Sequence, residues 1–390
     1  MKKSNLKINL LGDFWRRNWR AIVFILAVFV FWQVALSALS RFSPSFLPTK
    51  MTFLYQEEIP RNPQFLWSRA NFDGVHYLYI SRFGYGLYQQ AFFPGYPWLI
   101  SALKPVWGGS DLLAAVLIAN FCLWGFLLLF YRLISLDYQE KVARQTILFF
   151  LLFPTAFFLG MVYTESLFLL LIIGSFYAAR KGNWWLAGAL GGLSSYVRLG
   201  GIFLLPALAW EWYQQNHKNL RTGVASLPSL LLIPAGLLAY MKFLWEKYQD
   251  PLLFFHVQSY FGAERSGGKI ILLYQVFWRY LKMALTTKLD PLYFTVWLEI
   301  GVAVGFLLLL FLAYKKGVRT SYLIFGIISY LVPTCTGTFS SMPRYVLALF
   351  PCFIYLGTIK NKLLYYFLAL IFSFLLILCS VFFYQGYWIA

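Results

Sequence analysis

The sequence predicts an all-α, polytopic membrane protein, and three observations point to that class. Of its 390 residues, 60% are hydrophobic and only 12% are charged, whereas an ordinary soluble domain has about 25% charged residues. Aromatic side chains make up 21% of the chain, which suits a protein that lines two membrane interfaces. The apolar residues also form runs that approach the roughly 20 residues a spanning helix needs. A conventional cytosolic enzyme, a disordered chain and a disulfide scaffold are thereby excluded.

Eleven apolar segments are expected to cross the membrane, within one membrane-embedded domain that covers residues 1–390. The first follows a basic start and is too long for a signal peptide. Four segments between 145 and 212 are short and interrupted by Gly or Pro, a pattern that often surrounds a cavity. The segments lie at about 20–40, 111–132, 145–159, 163–180, 183–197, 199–212, 224–246, 292–314, 320–335, 344–359 and 363–385.

Two long loops, about 41–110 and 247–290, are predicted to lie on the extracytoplasmic side. This orientation puts the N-terminus in the cytoplasm and more than half of the 33 basic residues in short cytoplasmic segments, as the positive-inside rule requires. Both loops are rich in aromatic residues, and long ordered loops are usually functional. The stretch 269–288 predicts an interfacial amphipathic helix, because its apolar residues recur at helical spacing with basic residues on other faces. The apolar positions are Ile270, Tyr274, Phe277 and Leu281.

The net charge of +19 is attributed to the cytoplasmic loops and to anionic membrane lipids, and no nucleic-acid partner is expected. The four cysteines lie in or beside apolar runs and form no C-x-x-C pair, so they are interpreted as buried, inert thiols. Glycine-rich nucleotide motifs, G-x-S-x-G and D-x-D do not occur in the sequence. Nucleotide-dependent chemistry and hydrolase chemistry therefore lack support.

The first outer loop holds the residues from which chemistry is expected. Asp73 lies among aromatic residues, and His76 follows three positions later, so the two share a face of a helix. An apolar environment raises the pKa of a carboxyl group and a nearby cation lowers it, so such a group can be tuned to act as a base. The alternative, an aspartate that caps the helix following it, stays open at this point.

The same loop resembles that of a known family. The run F-D-G-V-H-Y-L-x-I-x-x-x-G-Y, followed by A-F-F-P-x-Y-P, is similar to the first-loop signature of the PIG-V-type mannosyltransferases of the GT-C superfamily. Y-T-E-S at 163–166, D-P-L-x-F at 250–254 and M-P-R-Y at 342–345 match in the same order. Where the family usually has T-R-P-T-G, this chain has V-R-L-G-G at 197–201, which keeps the arginine. The resemblance spans about 65–355.

The resemblance implies a GT-C-type fold and the transfer of a sugar, expected to be mannose, from a polyprenyl-phosphate donor to a glycan or lipid acceptor on the extracytoplasmic face. The reaction would invert the anomeric centre, with Asp73 as the base that deprotonates the acceptor hydroxyl. A lipid-phosphate leaving group needs no cofactor, and arginines can neutralise its charge without a metal. The substrate-binding residues would be His76, Tyr77, Glu165, Arg198, His256, Arg344 and Tyr345.

Several of these assignments have alternatives. Arg198 and Arg344 would contact the donor phosphate, or else snorkel from apolar segments to the interface. Glu165 would bind a sugar or position Arg198, or else complement a helix dipole. Glu299, inside an apolar segment, is expected to face the bundle and to have a partner. For the whole protein, the alternatives are a transferase that uses another polyprenyl-phosphate sugar and a lipid-linked-sugar transporter or flippase.

Overall fold

The computed structural model describes residues 2–217, 223–261, 265–266, 269–288 and 291–389. Within these ranges the ordered elements are helices and no β-strand occurs, which confirms the predicted all-α class. The α-helices run over Lys2–Phe42, Gln64–Trp67, Asp73–Phe83, Gly95–Leu103, Asp111–Ile134, Glu140–Leu152, Glu165–Arg180, Trp184–Val197, Leu204–Asn216, Leu232–Tyr248, Leu253–His256, Leu273–Thr286, Pro291–Lys315, Thr320–Thr334, Met342–Tyr345, Phe350–Gly357 and Lys362–Tyr384.

Several helices are long and apolar enough to cross a membrane. The five that meet both conditions in the described ranges are Trp19–Ser45, Asp111–Ile134, Val224–Tyr248, Tyr293–Lys315 and Lys362–Tyr384. The other predicted segments are helical but shorter or broken, so the count of eleven crossings stays a prediction.

Proline accounts for one of the broken segments, predicted at 145–159. Its helix ends at Leu152, two residues before Pro154, because proline lacks an N–H group and disfavours helical backbone in the residue before it. A short 3₁₀ helix, Ala156–Gly160, continues the chain toward helix Glu165–Arg180.

Glycines let two helices of the bundle approach closely. Helix Trp184–Val197 packs against helix Leu232–Tyr248 and the turn before it. A Cβ atom on Gly188 would lie 2.0 Å from the carbonyl oxygen of Ser229, and one on Gly192 would lie 2.5 Å from that of Leu232. Larger side chains cannot be accommodated there, so the two glycines, spaced four residues apart, allow the helices to pack closely.

One end of the bundle is held by a buried ion-pair network. Glu211 is fully buried, and its oxygens accept hydrogen bonds from Nε and Nη2 of Arg319 and from Oγ of Ser321, each at 2.7 Å. Nε of Arg180 lies 3.7 Å from Oε1 of Glu211, and the same guanidinium binds Asp137 at 2.6 and 2.7 Å. Arg180 and Arg319 therefore contact the same carboxylate, and their two segments, which are predicted to lie on the cytoplasmic side, are neighbours.

The predicted amphipathic helix forms over Leu273–Thr286, but its outer face differs from the predicted one. Ile270 precedes the helix, and Phe277 faces inward, with its ring 4.8 Å from that of Phe339. The prediction placed both residues on one apolar face with Tyr274 and Leu281, because the sequence does not show that the helix buries a second apolar side against the bundle. The exposed apolar residues of the helix are Tyr274, Trp278, Leu281 and Leu285.

Glu299, predicted to face the bundle, is buried in helix Pro291–Lys315. Its Oε2 accepts a hydrogen bond of 2.7 Å from the hydroxyl of Tyr280 on helix Leu273–Thr286. The same hydroxyl lies 3.0 Å from Oγ1 of Thr338. The expectation of an inward orientation with a partner is confirmed, and this contact fastens the amphipathic helix to the bundle.

Candidate active site

A strained turn holds Asp73 at the start of helix Asp73–Phe83. The preceding residue, Phe72, has φ 57° and ψ −119°, values of the first central position of a type II′ turn, where glycine is usual. The N–H of Gly74 closes the turn by donating to the carbonyl oxygen of Asn71 at 3.3 Å. A side chain in such a conformation costs of order 1–3 kcal/mol and persists only where the surrounding packing fixes it.

The packing that fixes this turn comes from a distant part of the chain. The ring of Phe72 lies 5.5 Å from that of Phe383 and 5.6 Å from that of Trp388. Nδ2 of Asn71 donates to the carbonyl oxygen of Phe383 at 3.2 Å. Phe72 occupies the cap position of the helix and its side chain makes no capping hydrogen bond. Asp73 is the first residue inside the helix, so the helix-cap interpretation of its carboxylate is not supported.

Asp73 belongs to a chain of four charged residues. Nη1 of Arg344 binds Oδ2 of Asp73 at 2.6 Å, and Nε of Arg344 lies 3.3 Å from Oε1 of Glu165. Nη1 of Arg198 binds that same oxygen at 2.9 Å. The side chains of Glu165 and Arg344 are buried, so the charges are compensated mainly by one another. Within the described residues, Oδ1 of Asp73 makes no hydrogen bond and is not sealed from solvent, so it is open to an incoming group.

His76 lies one helical turn after Asp73 and presents a defined tautomer. Its Nδ1 lies 3.2 Å from Nε2 of Gln89, whose Oε1 accepts a hydrogen bond of 2.9 Å from the N–H of Gly86. Because that bond fixes the amide orientation, Gln89 donates to Nδ1, and the proton of a neutral imidazole sits on Nε2. Burial lowers the pKa of His76, and the charge of Asp73 only partly opposes this shift. The neutral ring stacks on Phe92 at 4.8 Å.

Two tyrosines complete the polar surface around these charges. Burial, followed by the charge of Glu165, raises the pKa of Tyr77 well above its ordinary value, so its hydroxyl stays protonated. The side chain of Tyr77 is buried and lines the cavity described below. The ring of Tyr345 lies between two guanidinium groups, 5.4 Å from Cζ of Arg198 and 5.6 Å from Cζ of Arg344. Both contacts are within the range of cation–π interactions.

One cavity of about 770 Å³ gathers these groups. Its size is that of a pocket for a small-molecule ligand. His256, predicted as a substrate-binding residue, does not line it: its Nδ1 lies 2.7 Å from Oδ2 of Asp250 and its side chain is half exposed. The other predicted site residues all line the cavity, namely Asp73, His76, Tyr77, Glu165, Arg198, Arg344 and Tyr345.

The cavity wall also contains residues that the sequence did not single out. Arg265 and Lys269 belong to the segment 247–290, and Trp388 follows the helix Lys362–Tyr384. Neither cation lies in one of the matched motifs, so no sequence pattern distinguished these two from the other basic residues of that segment. Trp388 carries no local sequence signal, because its contribution comes from folding back onto Phe72.

Potential metal ligands do not cluster in the part of the chain that the structure describes: no three His, Cys, Asp or Glu side chains come together. Among the acids of the segment 41–110, Glu57 pairs with Arg82 at 3.2 Å, and Nη2 of Arg82 binds Oδ1 of Asp111 at 2.7 Å. The predicted burial of the cysteines is confirmed for three of them, whereas Cys335 is half-buried. The buried ones are Cys122, Cys352 and Cys379.

Comparison with known proteins gives a consistent set of similarities. The family model described as mannosyltransferase (PIG-V) matches residues 18–260. The GPI mannosyltransferase 2 of Yarrowia lipolytica is 26% identical over 307 residues, which cover 73% of this chain and 83% of that protein. The GPI alpha-1,6-mannosyltransferase 2 of Cricetulus griseus is 30% identical over 161 residues, or 35% of this chain and 31% of that protein. The mouse protein of the same name is 31% identical over 155 residues, or 35% and 30%.

Proposed function

Because the chain belongs to the mannosyltransferase (PIG-V) family of membrane proteins, we propose that it transfers mannose from a polyprenyl-phosphate-mannose donor to a glycan or lipid acceptor. The observation that carries this proposal is the pairing of Asp73 with Arg344 in a large cavity, with one carboxylate oxygen left open. An alcohol is a poor nucleophile at neutral pH, and a positioned carboxylate is a suitable base for it. A donor that carries another sugar on the same lipid phosphate is the alternative.

The reaction proceeds by direct displacement at the anomeric carbon. The acceptor hydroxyl gives its proton to Oδ1 of Asp73 while its oxygen forms a bond to C1 of the sugar. The bond between C1 and the phosphate oxygen breaks, and its electron pair stays on the polyprenyl phosphate. Attack from the side opposite the leaving group inverts the configuration at C1. Arg344 holds Oδ2, so the carboxylate keeps the orientation in which Oδ1 meets the acceptor.

The remaining cavity residues bind the two substrates. Nε2–H of His76 and the hydroxyl of Tyr77 are hydrogen-bond donors suited to the oxygens of a sugar. Glu165 orients the guanidinium groups of Arg198 and Arg344, which contact the donor. The reaction uses no cofactor and no metal in this proposal, because the cationic side chains of the cavity supply the positive charge that a phosphate requires. His256 stays a candidate for acceptor contact beside the cavity.

The proposed topology is that of a GT-C-type enzyme with about eleven crossings, a cytoplasmic N-terminus and an extracytoplasmic active site. The meeting of Arg180 and Arg319 at Glu211 supports a common side for their segments. Single cysteines at positions 73 and 315, in a background without the four native cysteines, test it with a membrane-impermeant thiol reagent. Labelling of both positions from the same side would overturn this topology.

The names of the relatives indicate which acceptors to test first. They are GPI mannosyltransferases, so a GPI precursor is one acceptor to include beside other glycolipids and free glycans. The purified protein in lipid nanodiscs is expected to move labelled mannose from polyprenyl-phosphate-mannose to one of these acceptors. If it instead carries the lipid-linked sugar across a vesicle membrane without transfer, and Asp73→Asn does so equally well, the transporter alternative is correct.

A further inference from the structure

The cavity has more positive charge than its acids can compensate. Among the residues that the structure describes, four cations and two acids line it, and burial lowers the pKa of His76, which disfavours a charge on that ring. The two acids, Asp73 and Glu165, are both engaged by arginines. Two of the described lining cations therefore pair with neither acid, and a cavity with such an excess favours an anionic ligand.

The two cavity cations that pair with neither Asp73 nor Glu165 are Arg265 and Lys269. Nη1 of Arg265 donates to Oε1 of Gln258 at 3.2 Å, and Nη2 lies 3.3 Å from Oγ of Ser341. These partners are neutral, and among the described residues neither cation forms an ion pair. By contrast, Arg198 and Arg344 form ion pairs with Glu165 and Asp73. The cations that carry the excess charge are thus different from the two arginines predicted from the sequence to contact the donor phosphate.

The loop that carries the two cations is anchored to the cavity wall. The N–H of Ser266 donates to the carbonyl oxygen of Thr336 at 2.9 Å, and that of Ile271 donates to Cys335 at 3.0 Å. Oγ of Ser266 in turn accepts a hydrogen bond of 2.7 Å from the N–H of Lys269. Backbone hydrogen bonds at Ser266 and Ile271 therefore hold this segment, with Lys269, against the cavity wall.

We propose that Arg265 and Lys269 bind the phosphate group of the lipid-linked donor, a site that rests on the proposed function. Ser341, which Arg265 contacts, is three residues from Arg344, the partner of Asp73, so the phosphate lies next to the reacting centre. Leu331 and Val332 line the same cavity and remain partly exposed, which offers the polyprenyl chain an apolar surface.

The chemistry of transfer gives these cations a second role. The donor is a phosphodiester with one negative charge, and the product is a phosphate monoester whose charge approaches −2 near neutral pH. The charge that develops on the leaving oxygen is stabilised by cations already in position. Loss of either cation should therefore weaken binding of polyprenyl phosphate more than binding of the mannosylated donor.

Binding of polyprenyl phosphate to the full-length protein in phosphatidylcholine nanodiscs tests the site. Arg265→Gln and Lys269→Gln are each expected to raise the dissociation constant by about tenfold to a hundredfold, the range for hydrogen bonds to charged groups. The matched controls are Arg61→Gln and Lys282→Gln, exposed outer-loop cations that do not line the cavity. They are expected to bind as the wild type does. Thermal unfolding of each variant checks that it is folded.

Three results would overturn the site. The first is an unchanged dissociation constant in both Arg265→Gln and Lys269→Gln. The second is an equal loss in the control variants, which would indicate a general surface charge effect. The third is competition by phosphatidylglycerol or inorganic phosphate as strong as that by polyprenyl phosphate. If polyprenyl phosphate binds as expected but no sugar is transferred, the proposed function fails while the phosphate site stands.

Discussion

Replacement of Asp73 by asparagine tests the base directly. The amide keeps the size of the carboxyl group, and its oxygen can still accept the hydrogen bond from Nη1 of Arg344. Arg344 also retains Glu165, whose Oε1 lies 3.3 Å from its Nε, so the guanidinium is not left without an acid. The variant is therefore expected to fold and to bind donor lipid. What it loses is the oxygen that takes the proton of the acceptor.

The expected loss follows from that chemistry. A positioned general base contributes about 10²–10⁴-fold, which corresponds to roughly 2.7–5.4 kcal/mol of transition-state stabilisation at about 1.36 kcal/mol per factor of ten. The turnover number of Asp73→Asn should fall by at least a hundredfold, with little change in donor binding. The assay is transfer of labelled mannose in nanodiscs at saturating donor, together with a separate measurement of donor binding.

Asp137→Asn is the matched control. Asp137 also binds an arginine through both oxygens, but it belongs to the network at Glu211 and does not line the cavity. Its turnover per folded molecule is expected to stay within about threefold of the wild type. If Asp73→Asn, shown to be folded, retained turnover in the same range as this control, Asp73 would not be the base. The proposed mechanism would then have to be abandoned.

Three further outcomes are expected. Burial lowers the pKa of His76 in the folded protein, so the unfolded chain binds a proton first as the pH falls, and the stability of the fold should decline below about pH 6.5. Melting temperatures measured from pH 8 to 5 should therefore fall less in His76→Gln than in the wild type. Identical pH profiles of the two proteins would contradict this expectation. Transfer activity should survive treatment with a chelator, and restoration of lost activity by Mg²⁺ or Mn²⁺ would show that a metal takes part. Glu211→Gln should lower the free energy of unfolding by about 3 kcal/mol, since it leaves Arg319 without its buried acid, and an unchanged denaturation midpoint would refute that role.

Much of the fold could be predicted from local sequence, because a membrane-spanning helix is determined by the residues of its own segment. Its apolar side chains match the hydrocarbon core of the bilayer, and its backbone N–H and C=O groups form hydrogen bonds within the segment. Pro154 marks a helix end, and the spacing of Gly188 and Gly192 indicates a close helix contact; both are found. The outer face of Leu273–Thr286 was predicted only in part, because the choice between two apolar faces depends on the rest of the bundle.

Site residues that belong to a sequence motif could be predicted, whereas contacts between residues far apart in the sequence could not. Seven of the predicted site residues line one cavity, although 271 positions separate Asp73 from Arg344. The pairing of Arg344 with Asp73 could not be predicted, since the order of residues does not indicate which carboxylate forms an ion pair with a buried arginine. For the same reason Arg265 and Trp388 were missed, because their role depends on how a loop and the segment near 388 fold onto the cavity.

The turn at Phe72 has a consequence for how the enzyme is made. The side-chain amide of Asn71 donates a hydrogen bond to the carbonyl oxygen of Phe383, which lies 312 positions later in the chain. A ribosome that adds about 5–20 residues per second needs roughly 15–60 s to cover that distance. Until that segment is made, its contacts cannot hold Phe72 in its strained conformation. If Asp73 is the base, as proposed, it would reach its working geometry only when the segment around residues 383–388 arrives, and an incomplete chain would not transfer sugar.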